Sequence, residues 1–216
     1  MYRSQHAYFD TSSLVKLIYS IVLHRRFNKP KPRILSILEN KVLIVYTSRV
    51  IVNELFDKAL QNLLESVNRQ QHGWENIDIY TMRGYFIDEF ELMRERDFLR
   101  IIEEDDTLKR QRKALESRPS RRVCYKDEVL DRVVSIIPEE DIDIVWSLLY
   151  AYDLLATVPR GTAPGISGGK LAFVTDDVNL RKFIENHIAC KGCPCANRFV
   201  VRSYREFKQS LRELVK

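Results

Sequence analysis

Acidic side chains recur in this chain at the ends of predicted strands and in the first turns of predicted helices. Carboxylates that converge repel one another, and this repulsion raises their pKa values unless a cation separates them. Their oxygen atoms suit Mg²⁺ or Mn²⁺, and such an ion lowers the pKa of bound water and stabilises charge on a phosphodiester. The candidate ligands are Asp10, Glu54, Asp141, Asp143, Asp176 and Asp177.

The segments that carry these acids alternate between the patterns of strands and helices. Strands are predicted for HAYFD, VLIVYTS, LAFVT and RFVVRS, and helices for SLVKLIYSIVL, SRVIVNELFDKALQNLLESV, EEDIDIVWSLLYAYDLL and VNLRKFIENHI. This alternation predicts a three-layer α/β/α fold with a mainly parallel central sheet. The carboxyl ends of parallel strands meet at one edge, and the helices that leave this edge begin there. All six acids are therefore expected to lie at that edge.

Each acid also has an ordinary structural interpretation. Asp10 and Asp177 are suited to capping the helices that follow them, and Glu54 suits a solvated helix surface. Asp141 and Asp143 suit the positive end of a helix dipole. The placement of the whole set at one predicted edge favours a shared site over independent structural roles.

Length and composition limit the class of protein. The 216 residues are 45% hydrophobic and 30% charged, which is typical of a soluble globular chain, here predicted to form a single domain over 1–216. Lys16 interrupts the longest apolar run, and Asp10 stands where a signal peptide would be apolar. We therefore expect a cytoplasmic protein without a membrane span. The net charge of +5 and the pI near 9.0 mildly favour a polyanionic partner.

In their order along the chain, the motifs resemble those of the PIN domain family of ribonucleases. YFDTSSLVKLI is similar to the first motif of the family, TSRVIVNEL to the second, EEDIDIVWSLLYA to the third and LAFVTDDVNLRKF to the fourth. RFVVRSYREF is similar to the last strand and helix of the family. On this resemblance the catalytic acids are Asp10, Glu54, Asp141 and Asp177, and the further metal ligands are Asp143 and Asp176.

The resemblance implies an endoribonuclease that cuts single-stranded RNA with Mg²⁺ or Mn²⁺. Its role would be RNA processing and turnover or that of a toxin with an antitoxin partner, and a homodimer is consistent with the family. The alternative is a catalytically inactive scaffold of the same fold that binds RNA or protein. A nucleotide-binding protein is disfavoured because the chain has neither a G-x-G-x-x-G nor a P-loop motif. The glycine loop 160–170 leaves the choice among Asp141, Asp143 and Asp153 open.

The segment 73–123 is charge-rich and helical in its pattern, and it is expected to be a helical insertion in the domain. Its apolar stripe needs burial, so these helices should pack beside the α/β core and form one wall of an RNA groove or a contact between subunits. The stripe consists of Tyr85, Phe86, Phe90, Met93, Phe98, Ile101 and Ile102.

Basic side chains in a turn near residue 120 and around the glycine loop are candidates for contacts with RNA phosphates. They are Arg118, Arg121, Arg122, Lys126, Arg160 and Lys170.

The cysteines have part of the spacing of a zinc site. CKGCPC contains a C-x-x-C pair that suits Zn²⁺, and a distant fourth thiolate would complete the site. Free thiols or a disulfide are the alternatives. The cysteines are Cys124, Cys190, Cys193 and Cys195.

Overall fold

A five-stranded sheet in which all strands are parallel forms the centre of the protein. The computed structural model describes residues 5–103, 139–157, 170–189 and 198–211. The strands are β1 (Gln5–Phe9), β2 (Leu43–Ser48), β3 (Leu99–Ile102), β4 (Leu171–Val174) and β5 (Phe199–Arg202). Their spatial order is β3-β2-β1-β4-β5.

Helices connect these strands. Between β1 and β2 lie α1 (Thr11–Phe27) and α2 (Arg33–Glu39). Between β2 and β3 lie α3 (Arg49–Glu54), a first π-helical turn (Leu55–Ala59), α4 (Leu60–Ser66), α5 (Arg69–His72) and α6 (Ile79–Glu95). Then follow α7 (Glu139–Thr157) before β4, α8 (Val178–Phe183) with a second π-helical turn (Ile184–Ile188) after β4, and α9 (Tyr204–Ser210) after β5.

Polar residues at the strand ends start the helices. Asp10, Ser48, Asp177 and Ser203 each accept a hydrogen bond from a backbone N–H in the first turn of the helix that follows. These caps satisfy N–H groups that have no partner within the helix. Because all four caps lie at or just after the carboxyl end of a strand, α1, α3, α8 and α9 begin at the same edge of the sheet.

Helices cover both faces of the sheet. Neighbouring residues of a strand point to opposite faces. The Phe9 ring lies edge to face against Phe207 of α9, with 5.4 Å between the ring centroids. The Tyr8 hydroxyl is hydrogen-bonded to Ser147 of α7 on the other face. The predicted three-layer α/β/α fold is therefore confirmed.

The helix α7 runs antiparallel to the strands. Ser147 contacts Tyr8, which is close to the carboxyl end of β1. Tyr152 lies against Phe199, the first residue of β5, with 5.3 Å between the ring centroids. The first turn of α7 therefore lies toward the carboxyl edge of the sheet, and its last turns lie toward the amino edge.

The described part of the segment 73–123 is only partly helical. The buried side chains of α6, among them Phe86 and Phe90, belong to the hydrophobic core, and α6 contacts α1. The chain then turns at Asp97, whose φ of 60° ends the helix, and β3 pairs with β2 at the edge of the sheet. The prediction of a helical stripe that continues over 98–102 is wrong. A short apolar run fits either a helix or a strand, and pairing with β2 decides between them here.

Several predicted site residues lie outside the described residues. They are Cys124, Cys190, Cys193, Cys195, Arg118, Arg121, Arg122, Lys126 and Arg160. Within the ranges that the structure describes, no helix combines the length and the apolar character needed to cross a bilayer.

Candidate functional site

The crevice between β1 and β4 is where the strand order of the sheet reverses. The central strand β1 has β2 on one side and β4 on the other. In open parallel sheets, ligands bind outside the carboxyl ends of the strands at such a reversal. Asp10 follows β1 directly, and Asp176 and Asp177 follow β4 after one residue. The acids predicted at the ends of these two strands therefore flank the crevice.

The side chain of Asp10 is surrounded by neutral hydrogen-bond donors and is 4% exposed. The Ser13 N–H donates to Oδ1 at 2.9 Å, and the Thr175 hydroxyl donates to Oδ2 at 2.5 Å. The Ser12 hydroxyl lies 3.1 Å from both carboxylate oxygens. Burial and these neutral donors are the largest influences on the charge of Asp10. Asp10 is thus both the predicted helix cap and the most buried of the candidate acids.

Burial raises the pKa of Asp10 from 3.8 to about 6. Removal of water from the carboxylate is the largest cause, and the hydrogen bonds from Thr175, Ser13 and Ser12 oppose it. Among the described residues, the hydrogen bonds therefore only partly offset the cost of burying the anionic form of Asp10. A cation in the crevice would supply compensating positive charge.

Thr175 connects Asp10 to the start of α8. Its Oγ1 donates to Asp10 and accepts the N–H of Asp177 at 3.0 Å. The exposed Asp177 accepts the N–H groups of Asn179 at 2.7 Å and Leu180 at 2.9 Å, both through Oδ1. The interpretation of Asp177 as a helix cap is therefore correct. Its role as a catalytic metal ligand stays a prediction.

Asp176 is held by three contacts. Its Oδ1 accepts the N–H of Tyr204 at 2.9 Å, and its Oδ2 accepts a hydrogen bond from Lys16 Nζ at 2.6 Å. Its own N–H donates to the Ser12 hydroxyl at 3.1 Å. Both carboxylate oxygens of Asp176 thus have partners. These contacts favour a positioning role for Asp176, and direct contact with a metal stays a prediction.

Glu54 reaches the same region through Thr11. The Thr11 hydroxyl donates to Glu54 Oε2, and Thr11 is the residue after Asp10. Glu54 is exposed, as expected for a helix surface, and it directly precedes the first π-helical turn. Turns of this kind inside α-helices occur frequently at functional sites. Glu54 therefore contacts the residue next to Asp10, in agreement with its predicted place at the sheet edge.

The helix α7 presents Asp143 and Asp141 on different sides. Asp143 precedes Ser147 by four residues, and residues at this spacing share one face of a helix. Since Ser147 contacts Tyr8, this face lies against the sheet, and Asp143 lies about 6 Å further toward its carboxyl edge. Asp141 is six residues before Ser147 and lies about 120° around the helix from it. The geometry therefore favours Asp143 over Asp141, which the sequence analysis placed first.

Asp153 and Lys170 lie toward the other end of the sheet. Asp153 follows Tyr152, the residue of α7 that contacts the start of β5. Lys170 is exposed and directly precedes β4, so the length of that strand, about 13 Å, separates it from Asp176. Contact of Lys170 with RNA stays a prediction.

The residues at this edge fit a hard divalent cation held by few protein ligands. Among the described residues, no group of three or more His, Cys, Asp or Glu side chains forms a ready metal cluster. Mg²⁺, however, usually takes only one or two carboxylates and keeps several waters. Asp10 offers a buried anion without a cationic partner among the described residues, and Glu54 offers an exposed carboxylate close by. Convergence of all six acids stays a prediction.

The polar residues that connect the acids were not among the predicted site residues. The hydroxyls of Thr11, Ser12 and Thr175 each contact a carboxylate, and Lys16 pairs with Asp176. The sequence did contain a signal for the hydroxyls, because Thr or Ser residues adjoin the acids in the motifs YFDTSSLVKLI and LAFVTDDVNLRKF. A sequence signal was also present for Lys16, because it interrupts the longest apolar run.

Comparison of the chain with protein-family models, with curated proteins and with solved structures finds no match.

Proposed function

We propose that this protein is a divalent-metal-dependent endoribonuclease that hydrolyses phosphodiester bonds in single-stranded RNA, similar to PIN domains. The observation that supports it most is the crevice at the strand-order reversal. There the buried carboxylate of Asp10 is tied by Ser12 to Asp176 and by Thr175 to Asp177. A site of oxygen ligands at this place in a parallel sheet suits phosphodiester chemistry.

In this proposal, Asp10, Glu54 and Asp143 would hold Mg²⁺ or Mn²⁺. When bound, the ion supplies activated water and stabilises charge on the phosphodiester. The Thr11, Ser12 and Thr175 hydroxyls keep carboxylate oxygens oriented toward the crevice. The Ser13 N–H keeps Asp10 at the start of α1. Because these donors are fixed by backbone and neighbouring side chains, little reorganisation is needed when the substrate binds.

A cleavage assay tests this function. End-labelled single-stranded RNA should be cut internally with Mn²⁺ or Mg²⁺ and should stay intact with a chelator. Asp10→Asn should reduce cleavage by orders of magnitude, because the amide lacks the charge that holds the cation. Asp88→Asn is a control for loss of an acidic charge elsewhere, since Asp88 is an exposed acid that pairs with Arg26 near the end of α1. Equal cleavage by the wild type and Asp10→Asn would contradict the proposal.

The second candidate function is a catalytically inactive scaffold that binds RNA or protein. The exposure of Asp177 and its use as a helix cap favour it, since a cap needs no metal. The buried Asp10 argues against it, because it has no ion-pair partner in the part of the chain that the structure describes, and such an anion is costly to bury in a protein that makes no use of it. RNA binding without cleavage under every metal condition would favour the scaffold.

A further inference from the structure

Lys16 is a charged residue on an otherwise buried stretch of α1. Its neighbours Leu14, Val15, Leu17 and Ile18 are all buried in the core. The side chain of Lys16 remains 46% exposed, and its ammonium group is directed to Asp176 at the carboxyl edge. The crevice therefore has a lysine at its rim whose orientation is set by a partner that follows β4.

The pairing with Asp176 places Lys16 close to the proposed reaction centre. Asp176 donates its N–H to Ser12, and the Ser12 hydroxyl contacts both oxygens of Asp10. The ammonium is thus linked to Asp10 through the carboxylate and backbone N–H of Asp176 and the hydroxyl of Ser12. A substrate phosphate that approaches Asp10 would pass within reach of this group.

The hydrogen-bonding capacity of Lys16 is incompletely used among the described residues. An ammonium group has three donors, and Asp176 accepts from one of them. Two arginines at the same edge differ, since Arg49 binds both carboxylate oxygens of Glu103, and Arg181 binds Glu185 and Glu206. Lys16 can therefore donate to a further acceptor without leaving Asp176.

The negative charge of the crevice would repel a nucleic acid unless a cationic side chain were present. Asp10, Glu54, Asp176 and Asp177 lie at or beside it, and a phosphodiester would add another negative charge. A cation at the rim lowers the repulsion that the backbone of an incoming nucleic acid meets. A lysine suits this task because it binds phosphate as a compact point charge.

We propose that Lys16 binds a non-bridging phosphate oxygen of single-stranded RNA at this crevice, with Asp176 holding the ammonium in place. This inference rests on the proposed ribonuclease function and adds a substrate-binding residue to it. The contact is to the backbone, so it acts on every RNA sequence alike.

RNA binding without cleavage tests the role of Lys16. Fluorescently labelled single-stranded RNAs of different sequence are titrated in chelator at several salt concentrations. Lys16→Met should raise Kd on the order of tenfold for all RNAs and lower the slope of log K against log salt by about 0.7, the value for one phosphate contact on a single strand. Lys16→Arg should retain most of the binding and the slope, because it keeps the charge.

Lys31→Met is the matched control. Lys31 forms an exposed ion pair with Glu39, and their exposures of 42% and 34% are similar to the 46% and 25% of Lys16 and Asp176. This pair, however, lies beyond the C-terminal end of α1, away from the carboxyl edge. Lys31→Met should leave Kd and the salt slope unchanged. An equal loss of binding in the Lys31 and Lys16 variants would show a general charge effect and would overturn the proposal.

A double variant separates phosphate binding from simple neutralisation of Asp176. Asp176→Asn keeps an oxygen for the Tyr204 N–H but removes the charge that Lys16 balances. If Lys16 binds phosphate, Lys16→Met with Asp176→Asn should retain the weak binding and the reduced slope. Restoration of wild-type binding and slope in the double variant would overturn the inference about Lys16.

The outcomes also separate this inference from the proposed function. Metal-dependent cleavage by the wild type, together with unchanged Kd, salt slope and KM in Lys16→Met, would overturn the role of Lys16 and leave the ribonuclease proposal standing. A wild-type protein that neither binds nor cuts single-stranded RNA would overturn both.

Discussion

The backbone N–H of Asp176 donates a hydrogen bond to the side chain of Ser12 across 164 positions of the sequence, with a donor–acceptor distance of 3.1 Å. The same hydroxyl lies at hydrogen-bond distance from both oxygens of Asp10. One small side chain thus connects the ends of β1 and β4, on either side of the point at which the strand order reverses.

We expect Ser12→Ala to reduce cleavage by about tenfold or more while the protein remains folded, because Asp10 and Asp176 lose their shared partner. Loss of a single hydroxyl contact should lower the free energy of unfolding by only about 1 kcal/mol. Steady-state kinetics and thermal unfolding measure the two effects. Ser12→Thr should restore activity. Ser210→Ala is the control, since the part-buried Ser210 hydroxyl donates to the Phe207 carbonyl within α9.

Asp10→Asn should stabilise the protein at neutral pH even though it removes activity. The folded pKa of about 6 exceeds the unfolded value of 3.8, so the unfolded chain binds fewer protons between these values. The contribution of Asp10 to stability is therefore lost as pH rises through this window, and the loss approaches about 3 kcal/mol. In chelator at pH 8, Asp10→Asn should unfold at a higher temperature than the wild type.

The difference in unfolding temperature between Asp10→Asn and the wild type should decrease as pH falls. It should nearly vanish at pH 4, where Asp10 is largely protonated in the folded state. Thermal unfolding of both proteins from pH 4 to pH 8 gives the comparison. A constant difference over this range would show that the carboxyl charge of Asp10 is not the cause.

His6 should make the opposite contribution to the pH dependence of stability. It is 6% exposed, its Nδ1 lies 3.1 Å from the Tyr46 hydroxyl, and burial lowers its pKa from 6.5 to about 4, with Arg100 as a second cause. The unfolded chain binds more protons between these values, so stability is lost as pH falls from 6.5 to 4. His6→Phe should lack this loss, and its unfolding temperature should decrease less than that of the wild type at acidic pH.

The titration of His6 can be measured directly by NMR. Its ring resonances should change around pH 4 in the folded protein, and Tyr46→Phe serves as a control for the hydrogen bond alone. A folded-state pKa near 6.5 would contradict the burial argument. The free energies of unfolding of the wild type and His6→Phe would then follow the same pH dependence.

Most strands of the sheet were predictable because their sequences have the pattern of a buried strand. HAYFD, VLIVYTS, LAFVT and RFVVRS are short apolar or β-branched runs bounded by polar residues, and their parallel pairing brings Asp10 to the same edge as Asp176. The strand β3 was not predictable in the same way. Phe98 and Ile102 suit a helical stripe as well as a strand, and the turn before them uses Asp97 with a positive φ rather than a glycine.

The details of the site depend on contacts that no local pattern contains. The predicted helices after β2 and β4 exist, but each contains a π-helical turn. A hydrogen bond between Tyr8 and Ser147, which are 139 positions apart, determines which side of α7 packs against the sheet. Sequence spacing places both Asp141 and Asp143 in the first turns of a helix, and only the contact with the sheet distinguishes them.

Substitution of these two acids tests that distinction. Asp143 shares the sheet-facing side of α7 with Ser147, so Asp143→Asn should reduce cleavage by on the order of a hundredfold or more. Asp141→Asn should reduce cleavage by no more than about threefold, because Asp141 lies about 120° around the helix from Ser147 and therefore away from the sheet-facing side. The pair is well matched, since both acids are partly exposed and lie at the same end of one helix.

The metal dependence of the two variants adds a second measurement. If Asp143 helps to hold the cation, Asp143→Asn should need a higher Mn²⁺ concentration for half-maximal cleavage, whereas Asp141→Asn should follow the wild-type curve. Thermal unfolding without metal should show similar stability for both variants. A large loss of cleavage in Asp141→Asn with normal activity in Asp143→Asn would show that the helix faces the crevice differently and that the original sequence-based choice was correct.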